Sequence, residues 1–328
     1  MKYKKPSGIN SILVFVVSYL FLSACVKTEN AIDSGLLNTW EIYNTENGLG
    51  SDAVWTLAED KEGNIWVGTM YNGVSKFDGK MWTIYNDASG LINNSVLSIA
   101  QDGYGDMWFG THGGLCILSD NEWTNIADFG DVFALLKDYD DNMWLSTSNY
   151  PVLEYKNNTW HTYYDDECEL CNIVNVLFED NERNIWFGSE QDLKKITSQT
   201  TTSYNQSDGL PGGGIKSMHQ DIWGNIWIGT GRSGTVAKYN DGKFELVSLL
   251  TGHSVNYTAS IASDNNGNVW LGILGTGTLK YNGSVMKSYT VKDGLPDKSV
   301  TSILKDKHGY LWFGTLNGGV AKYMPGMD

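Results

Sequence analysis

The sequence predicts an all-β chain, a seven-bladed β-propeller with four antiparallel strands per blade. Three observations carry this. The stretch "GNIWVGT" (Gly63 to Thr69) returns as "GDMWFGT", "DNMWLST", "RNIWFGS", "GNIWIGT", "GNVWLGI" and "GYLWFGT". These copies place Trp66, Trp108, Trp144, Trp186, Trp227, Trp270 and Trp312 at spacings of 36 to 43 residues. Three further columns keep step with the tryptophans. The composition, 37 Gly and 13 Trp against 5 Pro in 328 residues, suits many short strands and tight turns better than helices.

Each column has a mechanical reading. Six residues before every Trp stands an aspartate (Asp60, Asp102, Asp138, Asp180, Asp221, Asp264, Asp306), expected to cap backbone N–H groups of its own turn. Nine before stands a large apolar residue, from Leu57 to Ile303, expected to pack between blades. Ten before stands a small or β-branched residue, from Thr56 to Ser302, attributed to crowding of the inner strands round the channel. The Trp itself should bury against the adjoining blade. The Gly two places later (Ser146 in the third copy) leaves room for that approach.

Within the first unit, Val54 to Glu59 leads through a polar turn into "IWVGT", then "GVSKFDG" turns at Asp78-Gly79 into "MWTIYN". Asp-Gly or Asn-Gly pairs at 78–79, 241–242 and 282–283 are hairpin signals, since Gly accepts a positive φ. The seventh unit stops after its third strand, "GGVAKYM". Asn38 to Leu49, "NTWEIYNTENGL", copies the fourth strand and exit loop of unit one, "KMWTIYNDASGL". The N-terminal strand is therefore expected to complete the last blade and remove an open sheet edge.

The N-terminus reads as an export signal. Lys2, Lys4 and Lys5 precede the apolar run Ile12 to Leu22, too short to span a membrane as a helix. It ends in Leu22-Ser23-Ala24-Cys25, which resembles a bacterial lipobox at every position. That resemblance implies lipidation of Cys25; a plain secretory peptide or an uncleaved anchor is the alternative. The expected organisation is a signal peptide over 1–24, a tether over 25–37 and the propeller over 38–328, attached to the membrane only through its lipid. Without the three leading lysines, 20 basic residues face 38 acidic ones, which argues against nucleic-acid binding.

The units Ser299 to Tyr323, "SVTSILKDKHGYLWFGTLNGGVAKY", and Asn94 to Leu118 resemble the two-component regulator propeller repeat, with "DGLPDKSV" (Asp293 to Val300) as its lead-in. The resemblance implies an extracytoplasmic sensory propeller linked to polysaccharide recognition. No kinase region or immunoglobulin-like linker stands in these residues, so a free-standing, lipid-tethered, monomeric form in the bacterial cell envelope is expected. Streptogramin lyases share a similar seven-bladed repeat. Such chemistry needs a histidine and a carboxylate converging at the ring mouth. Only His112 follows a tryptophan strand, in "WFGTHGG", so an enzyme is not expected.

In a propeller, loops after the second strand and loops leading into the first strand share one face. They supply Tyr71, Asn72, His112, Tyr150, Glu190, Arg232 and Asn317 from the first set and Tyr257 from the second. Aromatics beside amides and charges suit a glycan or other polar ligand. A protein partner in the envelope is the alternative. The seven aspartates lie one per blade, whereas a calcium site needs several oxygens converging on one ion, so no metal is expected. Cys168 and Cys171 form a CxxC without a second ligand pair, and a local disulfide is expected after export. Cys116 stands apart, and no cofactor is implied.

Overall fold

A computed structural model describes residues 39–163, 173–231, 235–249 and 257–324. Cys25 with its leader, Cys168, Cys171 and Arg232 lie outside the described residues. The described chain forms seven four-stranded antiparallel sheets. Six are simple meanders, as in blade one: Val54–Glu59, Ile65–Thr69, Val74–Phe77 and Trp82–Tyr85. The seventh takes Val300–Lys305, Leu311–Thr315 and Val320–Met324 from one end of the chain. Its outer strand is Thr39–Tyr43, paired antiparallel with Trp40 opposite Tyr323. The ring therefore closes as the sequence predicts. Each inner strand packs against the inner strands before and after it, the seventh against the first.

The second strand is buried at all five positions in every blade, which explains its apolar run. Its tryptophan is 0–4% exposed in all seven copies. Each one enters a core shared with the next blade. Trp66 meets Ile99 and Phe109, Trp270 meets Ile303 and Phe313, and Trp312 meets Val54 and Val67 across the closure. Among the described residues there are thus seven seam cores and no central one. The glycine two places on is a close-approach device: a Cβ at Gly68 would stand 2.6 Å from Thr56 Cγ2, and at Gly188 2.6 Å from Ile215 Cγ2.

Two column readings need revision. The small residue ten before the Trp sits opposite that glycine in the ladder (Thr56 with Gly68, Ser98 with Gly110). Its hydroxyl reaches the next blade in places, as Ser217 Oγ does to the Thr258 carbonyl at 2.9 Å. Seam contact, not channel crowding, sets its size. The aspartate does cap its turn, but it also accepts the indole N–H of the tryptophan six places on. Those seven bonds measure 2.7–3.0 Å. In blade one, Asn64 adds its backbone and side-chain amides to the same carboxylate. Burial works to raise the Asp60 carboxyl, but the bonds from Trp66 and Asn64, with Lys76 nearby, hold it below its ordinary value.

Four seams carry a further latch on this face. The backbone N–H after the aspartate donates to a Glu or Gln of the following blade: Lys61 to Gln101, Tyr139 to Glu179, Asn181 to Gln220 and Lys307 to Glu59, each at 2.7–2.8 Å.

Candidate functional site

The opposite face is built by the loops that the sequence singles out. The turn after the second strand bonds to the residue leading into the inner strand of its own blade: Met70 N–H to Ala53, His112 to Ser95, Ser148 to Asp131, Leu274 to Tyr257 and Leu316 to Ser299. Both loop sets therefore rim one mouth. Before four of the blades the lead-in is a 3-10 turn capped by Asn44, Asn86, Asn205 or Thr290 and ended by a left-handed glycine.

The sequence-predicted residues separate into groups. Tyr71 is 71% exposed, and Asn317 is also exposed. The Asn72 amide donates to the Gly50 carbonyl at 2.6 Å and so serves the rim itself. Tyr150 is half-buried, with its ring edge-on to Phe129. His112 Nδ1 lies 3.1 Å from Asp131 Oδ2, pairing blades two and three at the surface. Glu190 forms an ion pair with Lys216 and accepts the Asn175 amide at 3.2 Å. The Lys216 ammonium also stands 5.7 Å from the Tyr257 ring centre. Burial, then the Glu190 charge, raises the Tyr257 hydroxyl above its ordinary pKa. Asn175, Glu190, Lys216 and Tyr257 thus form one polar cluster spanning blades four to six. A cleft of about 160 Å³ opens beside it, lined by Glu190, Gln206, Pro211 and Ile215 among others.

Sequence reasoning missed a ring of residues at the mouth. Every inner strand skips register after its first residue, a bulge repeated seven times. A bulge frees a residue from the ladder and re-aims its side chain. The bulged residues are Trp55, Leu97, Phe133, Asn175, Lys216, Ala259 and Thr301. Blades pack on both faces of each inner strand, so exposure there is exposure to the channel; Trp55 is the one exposed residue of its strand, at 38%. Blades one to three supply an apolar arc. Blades four and five supply the polar Asn175, which reaches the Ile215 carbonyl, and Lys216, while Thr301 of blade seven is buried and donates to the Val54 carbonyl across the closing seam. The signal was present in the sequence: this column, eleven before the Trp, disagrees with itself between columns that agree.

Among the described residues, no three His, Cys, Asp or Glu side chains converge as a metal site. Cys116 is a free, buried cysteine that accepts the Ile92 N–H at 3.3 Å, and burial pushes its thiol up to about 11. No helix among the described residues is long and apolar enough to cross a membrane.

The profile of the two component regulator propeller matches residues 48–71, 90–113, 209–232 and 294–317. These segments belong to blades one, two, five and seven, and each begins at the glycine that ends a capped 3-10 turn. No curated protein matches the sequence. Among solved structures, the chain is similar to the extracellular domain of BT3049 from B. thetaiotaomicron, described as a hybrid two component system. The TM-score is 0.73 at 18% identity over 87% of this chain and 42% of that one, so the chain spans about two fifths of its length. It is similar to virginiamycin B lyase from Staphylococcus aureus, with a TM-score of 0.72 at 13% identity over 88% and 99% of the two chains. It is also similar to PorZ, a surface component of the type-IX secretion system of Porphyromonas gingivalis, with a TM-score of 0.68 at 16% identity over 84% and 47%. At such identities the likeness is one of fold. Four of the seven blades thus carry the two component regulator propeller repeat, in the register that all seven share.

Proposed function

We propose that this chain is an extracytoplasmic recognition propeller, exported and held at the envelope through Cys25, whose mouth binds a carbohydrate or other polar ligand without chemical turnover. The observation that supports this reading is the two-sided mouth. Trp55, 38% exposed, and the half-buried Phe133 stand at the bulges of blades one and three, while Asn175, Glu190, Lys216 and Tyr257 gather hydrogen-bonding groups on blades four to six. Stacking on one side with directional bonds on the other is the usual way a polar ring is held. Likeness to an extracellular domain of a hybrid two component system is in keeping with it.

The test is a glycan and envelope-protein binding screen with residues 38–328, run beside a Trp55→Ala, Lys216→Ala double variant. Glycan binding that disappears in the variant, with its circular dichroism unchanged, supports the reading. Undiminished binding removes the mouth as the site, and capture of an envelope protein alone favours a scaffold. One observation favours a second reading: the His112–Asp131 pair is a histidine with a carboxylate at the rim. A His112→Ala variant that still binds its ligand but no longer converts it would select acid–base chemistry.

A further inference from the structure

The opposite face carries a pattern whose interruption marks a second site. In five blades the residue paired with the tryptophan on the third strand is a lysine: Lys76, Lys195, Lys238, Lys280 and Lys322. Four of these ammonium groups lie 5.0–5.5 Å from the centre of their blade's indole. Two also stand 3.8–3.9 Å from the repeated aspartate, Lys76 with Asp60 and Lys280 with Asp264. Indole face and carboxylate together make a recurrent seat for an alkylammonium.

Blade two keeps the aspartate–indole bond and lacks the ammonium, with Ile117 packed in the Trp108 core instead. Trp108 still donates to Asp102 at 3.0 Å, but its partner on the third strand is Ile117. The turn changes as well. Five blades place an asparagine two before the Trp, and those asparagines donate a side-chain amide to the aspartate. Blade two has Asp106 there. The seat has thus lost a cation and an amide donor and gained a carboxylate. A cleft of about 710 Å³ opens at this spot between blades two and three, lined by Asp102, Asp106, Ile117, Asp140 and Tyr155 among others. The clefts lined by Lys195 and Lys280 measure about 470 and 400 Å³. Asp141 in the same cleft is paired with Lys137 at 2.7 Å, and Lys156 with Glu154 at 3.8 Å.

We propose that the cleft between blades two and three binds a primary alkylammonium group, which takes the place of the lysine that blade two lacks. Other blades show the chemistry that fits: three N–H donors on an unbranched stem, beside a carboxylate that already holds an indole N–H. The group belongs either to a free amine or to the lysine side chain of a partner, and the two are separable.

The test follows the Trp108 indole N–H resonance of residues 38–328 during titration with n-butylammonium chloride, Nα-acetyl-lysine methylamide or tetramethylammonium chloride at constant ionic strength. Saturable shifts with the two primary amines and none with tetramethylammonium are expected. The tighter of the two amines identifies the source. Ile117→Lys supplies the missing ammonium and should weaken binding at least tenfold; five blades already accommodate that residue. Lys195→Ile empties an occupied seat and should make the Trp186 resonance respond as well. Absence of a saturable shift in the unmodified protein, or equal binding by Ile117→Lys, overturns the proposal.

Discussion

The seams and the mouth of this ring are built from neighbouring residues of the same strands, yet they follow opposite rules. At the seams the seven blades agree: an aspartate holds a tryptophan, the tryptophan meets the next blade, and a glycine lets it approach. At the mouth, one residue before the small seam residue, the blades hold Trp, Leu, Phe, Asn, Lys, Ala and Thr. Repetition marks what closes the ring, and variation marks what is left free to recognise something. The cleft between blades two and three sharpens the rule, because there a seam residue departs from the repeat.

The largest test of this contrast removes the seam that both chain ends build. Deleting residues 38–45 takes away Trp40, 4.6 Å from Tyr323, and Tyr43, stacked on Trp312 at 5.5 Å. The expected outcome is loss of soluble, cooperatively unfolding protein, read by size-exclusion chromatography and thermal melts. Next, Trp270→Ala should cost about 3–5 kcal/mol in denaturant unfolding. Trp55→Ala should stay within about 0.5 kcal/mol, as for surface substitutions, while affecting ligand binding. Equal destabilisation by the two would erase the distinction.

His219 gives a pH handle on one seam. Its Nε2 lies 2.8 Å from Ser263 Oγ of the next blade, and burial pushes its pKa down to about 4, with Asp221 opposing and Lys305 adding to the shift. Between that value and the unfolded value of about 6.5, the unfolded chain binds the extra proton. Stability therefore falls as pH drops from 6.5 to 4, by roughly 3 kcal/mol, with no further loss from this group below pH 4. His219→Gln should flatten that window. Smaller still, Gly188→Ala forces a methyl against Ile215 and should cost about 1–3 kcal/mol. Asp106→Asn restores the common turn residue and should gain about 1 kcal/mol or less while weakening amine binding.

Blade number, strand order and closure were legible because tryptophan, aspartate and glycine recur at fixed offsets that a turn and a ladder hold rigid. The indole bond to the aspartate was not: it exists only once the turn folds the tryptophan back over the aspartate six places before it. The lysine opposite the tryptophan hides for another reason. It falls ten residues after Trp66, nine after Trp186 and eleven after Trp227, because the intervening loops differ in length. The mouth was legible as a set of loops, and Tyr71, His112 and Glu190 do sit on it. Its inner ring showed only as the column eleven before the Trp that disagrees with itself; that a bulge re-aims those residues is a backbone event the column does not announce.

The shared seventh sheet has a kinetic side. Its outer strand is the first strand of the chain, and its other three are the last. Every earlier blade can form from contacts local in sequence, but this pairing must wait until both ends meet. Such long-range closure is the slow kind of step. Until it happens, Val320–Met324 presents an unpaired edge, and Trp40 leaves its ring partners Tyr289, Phe313 and Tyr323 without it. The strand that finishes the circle therefore also sets how long the unfinished molecule stays sticky.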